Sequence, residues 1–156
     1  MRKILFICHG NICRSPMAEF VMKDLVAKEK LNNKFYIESA ATSAEEIGNG
    51  IYPQAREQLA KHNISGYKNK TARQIKQSDY DEFDYLIIMD DENEHSIRRI
   101  LGEDRDNKIH KLLEFAEDDK LKGTDIDDPW YTRKFGLCFD EIENGCKGLL
   151  TYLKGV

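Results

Sequence analysis

The stretch KILFICHGNICRSPMAEF, residues 3–20, joins a short apolar run to the start of a helix. Its first part, Lys3 to Cys8, is apolar enough for a buried strand and too short for the core of a secretory signal. Its last part predicts a helix from Ser15 to about Lys30, with Ser15 as the cap and Pro16 at the first helical position. A strand, a tight loop and a helix therefore follow one another in this stretch.

Similar apolar runs recur at residues 35–41, 83–89 and 108–113. Helical patterns separate them at about 53–62 and 93–101, and a last helix is predicted over about 134–153. Strands that alternate with helices form parallel sheets covered on both faces. We therefore predict an α/β fold, with residues 1–156 as a single three-layer domain around a four-stranded parallel sheet that carries helices on both faces.

Composition excludes several classes of protein. The net charge is -4, and charged residues of both signs, 33% of the chain, are mixed along its length, whereas nucleic-acid proteins show a clustered basic face. No stretch approaches the roughly 18 apolar residues of a membrane span. Four cysteines without a CxxC pair are typical of reduced thiols in a cytoplasmic protein. We predict no nucleic acid, no membrane, no metal and no organic cofactor.

The segment Cys8–Ser15 is predicted to bind an anion, because it leads from a strand into a helix start where unpaired amides carry partial positive charge. Gly10 and Asn11 tolerate backbone angles that turn consecutive N–H groups inward. Arg14 adds a two-pronged charged donor. At the base of this ring, Cys8 would be held as a nucleophilic thiolate. The backbone of the rest of the loop, His9, Ile12, Cys13 and Ser15, completes the predicted phosphate-binding set.

The string CHGNICRSPMAE resembles the signature of the low-molecular-weight protein tyrosine phosphatases, and the similarity covers nearly the whole chain. Further matching segments are SAATS at 39–43, EIGN at 46–49, ARQI at 72–75, FDY to MD at 83–90 and DPWY at 128–131. This resemblance implies a phosphate-binding loop after the first strand, Cys8 as nucleophile and Arg14 as phosphate clamp. It also implies phosphotyrosine proteins or peptides as substrates and inorganic phosphate as product and competitive ligand.

A second catalytic group is expected, because an acid must protonate the departing tyrosine oxygen. The acidic segment 125–128 offers three carboxyl groups, of which the resemblance selects Asp128 and leaves Asp127 as the nearest competitor. Trp130 and Tyr131 are predicted to be exposed and to flank the slot for a phenyl phosphate. The resemblance also implies that Ser39 hydrogen-bonds Asn11 from behind the loop.

Four positions raise questions of specificity and regulation. His9 and Glu45 depart from the family pattern, where apolar and aromatic residues are usual, and are predicted to tune specificity. Glu45 and Glu46 make the rim acidic, which disfavours acidic phosphopeptides. Cys13 is predicted to trap an oxidised Cys8 as a disulfide, in a reversible off-switch.

Two other functions remain open from the sequence. An arsenate reductase on the same fold would relay a disulfide through further cysteines, for which Cys138 and Cys146 are candidates. A non-catalytic phosphate-binding module is the other alternative, although such a module would not need the acid Asp128.

Overall fold

The computed structural model describes residues 1–156 and contains one parallel sheet of four strands in the order β2-β1-β3-β4. The strands are β1 Arg2–Cys8, β2 Phe35–Ala41, β3 Tyr85–Ile88 and β4 Ile109–Lys111. The central strand β1 is buried on both faces: Ile4, Leu5, Phe6 and Ile7 are all 0% exposed. Such continuous apolar strands require covered sheets, so the predicted fold class is confirmed.

Helices cover both faces. They are α1 Arg14–Lys28, α2 Pro53–Lys61, α3 Gln77–Glu82, α4 Asp91–Leu101, α5 Pro129–Thr132 and α6 Phe135–Lys154, with a 3-10 turn at Leu112–Phe115. Alternate residues of β1 serve different cores: Ile4 and Phe6 pack with residues of α1 and α6, whereas Leu5 and Ile7 pack with Ile97 of α4. No helix is both long and apolar enough to cross a bilayer.

The start of α1 differs from the prediction. The helix begins at Arg14 with Cys13 as its N-cap and no capping side chain, so the prediction that Ser15 caps the helix is wrong. The Ser15 hydroxyl instead lies 3.0 Å from the Cys8 sulfur. The sequence also missed α3 and α5, because segments of six and four residues are too short to show a clear helical period.

Loops from different parts of the chain meet at the carboxyl edge of the sheet. The N–H groups of Thr42 and Ser43, which follow β2, donate to the carbonyls of Cys8 and His9 at 2.9 and 3.0 Å. On the other side, the Ile126 N–H donates to the carbonyl of Met89 after β3 at 2.9 Å. The loops that follow β1 and β2 and the segment around Ile126 therefore meet at one point, the end of β1.

Candidate active site

The loop Cys8–Ser15 wraps the Cys8 sulfur in hydrogen-bond donors. The backbone N–H groups of Asn11 and Ser15 point at Sγ from 3.3 and 3.4 Å, and the Ser15 hydroxyl lies 3.0 Å away. The Asn11 side-chain amide donates to Ser15 Oγ at 2.8 Å, which leaves the hydroxyl hydrogen available for the sulfur. Donors of this kind stabilise a thiolate over a thiol.

The loop is held in shape by Asn11, which is 1% exposed and has left-handed backbone, with φ 60. Its side-chain amide also donates to Ser39 Oγ at 2.9 Å, the contact that the resemblance implied. Its side-chain oxygen accepts from the Arg73 N–H at 3.2 Å. Asparagine tolerates the left-handed region, and three hydrogen bonds lock it there.

Behind Ser39 stands a buried acid that sequence reasoning missed. Ser39 Oγ donates to Glu19 Oε1 at 2.6 Å, and Glu19 is 3% exposed. Lys23 and Lys70 contact this carboxylate at 2.6 and 3.2 Å. A charged residue between Met17-Ala18 and Phe20-Val21 was the available signal, because charges are rarely fully buried unless they are paired.

Arg14 has a fixed orientation. Its guanidinium is buried and donates from Nη1 to Asp90 Oδ2 at 2.6 Å and to the Ile126 carbonyl at 2.7 Å. Its Nη2 lies 3.5 Å from Asp128 Oδ2. Burial lowers the pKa of Arg14, but the negative charges of Cys8, Asp90 and Asp128 outweigh burial and raise it. The group therefore remains a cation beside Cys8.

Asp90 has two structural contacts. Besides accepting from Arg14, it caps α4 by accepting the Asn93 N–H at 2.8 Å. It therefore links the start of α1 to the start of α4.

Asp128 caps the single turn of α5, since its Oδ1 accepts the Trp130 N–H at 3.0 Å. Its other oxygen faces Arg14, and its side chain is 24% exposed. Asp127, its competitor, does not line the cavity above Cys8 and lies in the adjoining one. Pro129–Thr132, directly after Asp128, forms a helical turn.

A cavity of about 190 Å³ opens above Cys8. Trp130 and Tyr131 stand at its mouth with 46% and 81% of their surfaces exposed. Of the predicted site residues, Asn11, Ser15 and Ser39 do not line the cavity. The lining residues are Cys8, His9, Gly10, Ile12, Cys13, Arg14, Glu45, Glu46, Asp128, Trp130 and Tyr131.

The two positions that depart from the family pattern contact each other. His9 Nε2 lies 2.8 Å from Glu45 Oε2, and the two side chains are 44% and 67% exposed. The pair joins the loop after β1 to the loop after β2 at one edge of the cavity. The sequence marked both residues but did not predict their contact.

The other cysteines are free thiols in the interior. Cys13 is 5% exposed, and Cys138 and Cys146 face the core from α6. Burial raises the pKa of all three thiols. They are therefore protonated at neutral pH.

Comparison with known proteins agrees with this geometry. The model of the low molecular weight phosphotyrosine protein phosphatase family matches residues 3–155. The chain is 40% identical to low molecular weight protein-tyrosine-phosphatase YfkJ of Bacillus subtilis, covering 99% of this chain and 97% of that protein. It is 38% identical to the low molecular weight phosphotyrosine protein phosphatase of Gallus gallus, covering 96% and 94%.

Solved structures show the same similarity. The crystal structure of YfkJ superposes with a TM-score of 0.94 over 99% of this chain and 96% of that chain. A low molecular weight protein tyrosine phosphatase from Streptococcus pyogenes, 37% identical, gives a TM-score of 0.86 over 98% and 93%.

Proposed function

Because the chain belongs to the low molecular weight phosphotyrosine protein phosphatase family, we propose that it hydrolyses phosphotyrosine and small aryl phosphates through a cysteinyl-phosphate intermediate. One observation carries the proposal: the Cys8 sulfur, held by three hydrogen-bond donors, shares a cavity with Arg14 and Asp128. A nucleophile, a cation for the phosphate and an acid for the leaving group are the parts that this reaction needs.

In the first step, the Cys8 thiolate attacks phosphorus and forms the sulfur–phosphorus bond while the bond to the tyrosine oxygen breaks. Arg14 and the inward N–H groups of the loop stabilise the charge on the equatorial oxygens. The contacts of Arg14 with Asp90 and the Ile126 carbonyl support this role, since they fix the guanidinium before substrate arrives.

Asp128 protonates the departing tyrosine oxygen. It lines the same cavity as Cys8 and directly precedes Pro129 and Trp130 in the chain, which suits a group that meets the leaving oxygen of a substrate bound there. In the second step the Asp128 carboxylate removes a proton from water, which attacks phosphorus. Inorganic phosphate leaves, Cys8 returns to the thiolate, and Asp128 regains its proton.

Selectivity for tyrosine follows from the walls of the slot. Trp130 and Tyr131 stack on a phenyl ring, and a phosphate on the shorter side chain of serine would not reach Cys8. Phosphotyrosine proteins or peptides are the proposed substrates, and inorganic phosphate is the proposed product and competitive ligand. We place the reaction in the cytoplasm, which four free cysteines support.

The geometry gives little support to an arsenate reductase. Cys138 and Cys146 are eight residues apart on α6, which separates them by about 12 Å along the axis. Disulfides need Cα atoms within roughly 7 Å. Both thiols are also buried, so a relay through them would require α6 to unfold.

The test is hydrolysis of p-nitrophenyl phosphate and of a phosphotyrosine peptide without added metal. We expect the wild type to turn over both and Cys8→Ser neither. Asp128→Asn should lower kcat/KM for the peptide about 10²- to 10⁴-fold. The matched control is Asp127→Asn, which should retain wild-type rates. An inactive wild type would refute the proposal, as would equal losses in the two aspartate variants.

A further inference from the structure

Tyr52, at the start of α2, touches both halves of the site. Its backbone N–H donates to the Ile12 carbonyl in the phosphate loop at 2.9 Å. Its ring meets Trp130 edge-on, with centroids 5.0 Å apart, and stacks on Phe135 at 5.7 Å. Pro53 follows, so the backbone of Tyr52 is confined to the extended region that it adopts, φ -57 and ψ 138. One rigidly held residue thus connects the phosphate loop to the turn after Asp128.

Arg133 strengthens this connection. It ends α5 in left-handed backbone, with φ 62, and donates to Tyr52 Oη at 3.0 Å and to the Trp130 carbonyl at 3.3 Å. Its guanidinium carbon lies 5.4 Å from the Tyr52 ring centre and 5.3 Å from that of Phe135. The turn is therefore held against Tyr52 by ring packing, a hydrogen bond and a cation–π contact.

The turn needs such support, because α5 has only four residues and an isolated helical turn is unstable. On the side before Asp128, Ile126 anchors the chain through Met89 and Arg14. On the side after Asp128, the contacts with Tyr52 described above hold the turn. Contacts on both sides of Asp128 therefore fix the distance between this residue and the phosphate loop.

We propose that Tyr52 is a positioning residue for leaving-group protonation, holding the turn that carries Asp128 in register with the phosphate loop. The inference rests on the proposed function, in which Asp128 is the acid. Tyr52 does not line the cavity and therefore acts through Trp130 and Arg133. Displacing a catalytic group by about 1 Å can cost 10²-fold in rate, so the loss of this support has a measurable consequence.

The experiment compares substrates that differ in their need for an acid. Phosphotyrosine has a poor leaving group and requires protonation, whereas 2,4-dinitrophenyl phosphate has a good one and does not. For Tyr52→Ala we expect kcat/KM to fall up to about 10²-fold on phosphotyrosine and to change little on the dinitrophenyl ester. Tyr52→Phe keeps the ring but loses the hydrogen bond from Arg133. Its kcat/KM should also fall more on phosphotyrosine than on the dinitrophenyl ester, but by a smaller factor.

Two further measurements separate positioning from general destabilisation. Tyr152→Ala is the matched control: Tyr152 also packs on a phenylalanine, Phe115, at 5.1 Å, but is 47% exposed and lies away from the acid turn. It should leave the ratio of the two substrates unchanged. Trp130 is the only tryptophan in the chain, so its emission and quenching by acrylamide report the turn directly and should change in Tyr52→Ala.

The outcomes are distinct. The role of Tyr52 would be overturned if Tyr52→Ala lost kcat/KM equally on both substrates. It would also be overturned if neither the ratio of the two kcat/KM values nor the Trp130 emission changed. Either result would leave the proposed function intact. If Asp128→Asn itself shows no bias between the two esters, the assignment of the acid fails, and the inference with it. Should Tyr52→Ala fail to fold by circular dichroism, Tyr52→Phe and Tyr52→Leu decide by the same ratio.

Discussion

Replacing Asn11 by alanine tests how the loop Cys8–Ser15 is held. The change removes hydrogen bonds to Ser15 and Ser39 and one from the Arg73 N–H. It also leaves a residue with a β-carbon at φ 60, a conformation that asparagine and glycine accept more readily than alanine.

The magnitude follows from these contacts. Each hydrogen bond contributes about 1 kcal/mol net, and more where the abandoned partner is buried. The left-handed backbone adds about 1 kcal/mol for alanine. We expect Asn11→Ala to lower the free energy of unfolding by about 4 kcal/mol. Asn11→Gly should lower it by about 3 kcal/mol, because glycine accepts the left-handed backbone. kcat/KM should fall on the order of 10²-fold in both variants, because the backbone N–H groups of the loop are no longer held pointing at the Cys8 sulfur.

Urea unfolding and steady-state kinetics on an aryl phosphate measure the two effects. Asn63→Ala is the control, since Asn63 has the same backbone conformation, with φ 59, but is exposed and far along the chain from the site. It should lose only the backbone contribution, about 1 kcal/mol, and retain full activity. Wild-type stability and kcat/KM in both Asn11 variants would refute the view that this side chain holds the loop.

Three further predictions concern specificity, pH and oxidation. Peptides with lysine next to phosphotyrosine should have higher kcat/KM than peptides with glutamate there, because the rim formed by Glu45 and Glu46 is acidic. Replacing both glutamates by lysine should reverse this order of peptides. An order that stays the same in the lysine variant would contradict the prediction. Burial raises the pKa of Asp104, but the hydrogen bond from Tyr80 and bonds from backbone N–H groups lower it below its ordinary 3.8. The stabilisation by the Asp104 carboxylate is thus present above pH 3.8 and lost as the pH falls through the lowered value. Because Asp104 is partly exposed and solvent screens its charge, Asp104→Asn should lose about 1 kcal/mol at pH 7 and converge with wild type in acid. A pH-independent difference in urea titrations would speak against this. If a Cys8–Cys13 disulfide protects Cys8 from further oxidation, dithiothreitol should restore the activity of peroxide-treated wild type but not that of peroxide-treated Cys13→Ser. Equal recovery of the two proteins would reject the predicted redox switch.

The local architecture was readable because its causes are local. The apolar run before Cys8 and the helix signals around Pro16 each depend on residues within a few positions. Residues 35–41 were predicted as a strand and form β2 as Phe35–Ala41. The sheet, its two covered faces and the convergence of loops at its carboxyl edge follow from that alternation.

Boundaries were less well predicted where a tertiary contact competed with a local rule. Ser15 has the chemistry of a helix cap, yet its hydroxyl contacts the Cys8 sulfur instead. Pro129–Thr132 forms a turn of helix, although four residues carry too little periodicity to reveal it.

The sequence by itself determined the strand–loop–helix unit that carries Cys8, the parallel sheet around it and the acidic segment that supplies Asp128. Only the tertiary structure decided which distant side chains support that unit: Glu19 behind Ser39, Tyr52 against Trp130, and His9 beside Glu45. The physical reason is how far apart along the chain the interacting residues lie. Backbone conformation and burial follow from neighbours along the chain, whereas a hydrogen bond across 36 residues, such as His9 with Glu45, exists only once the strands have paired in register and brought their loops together.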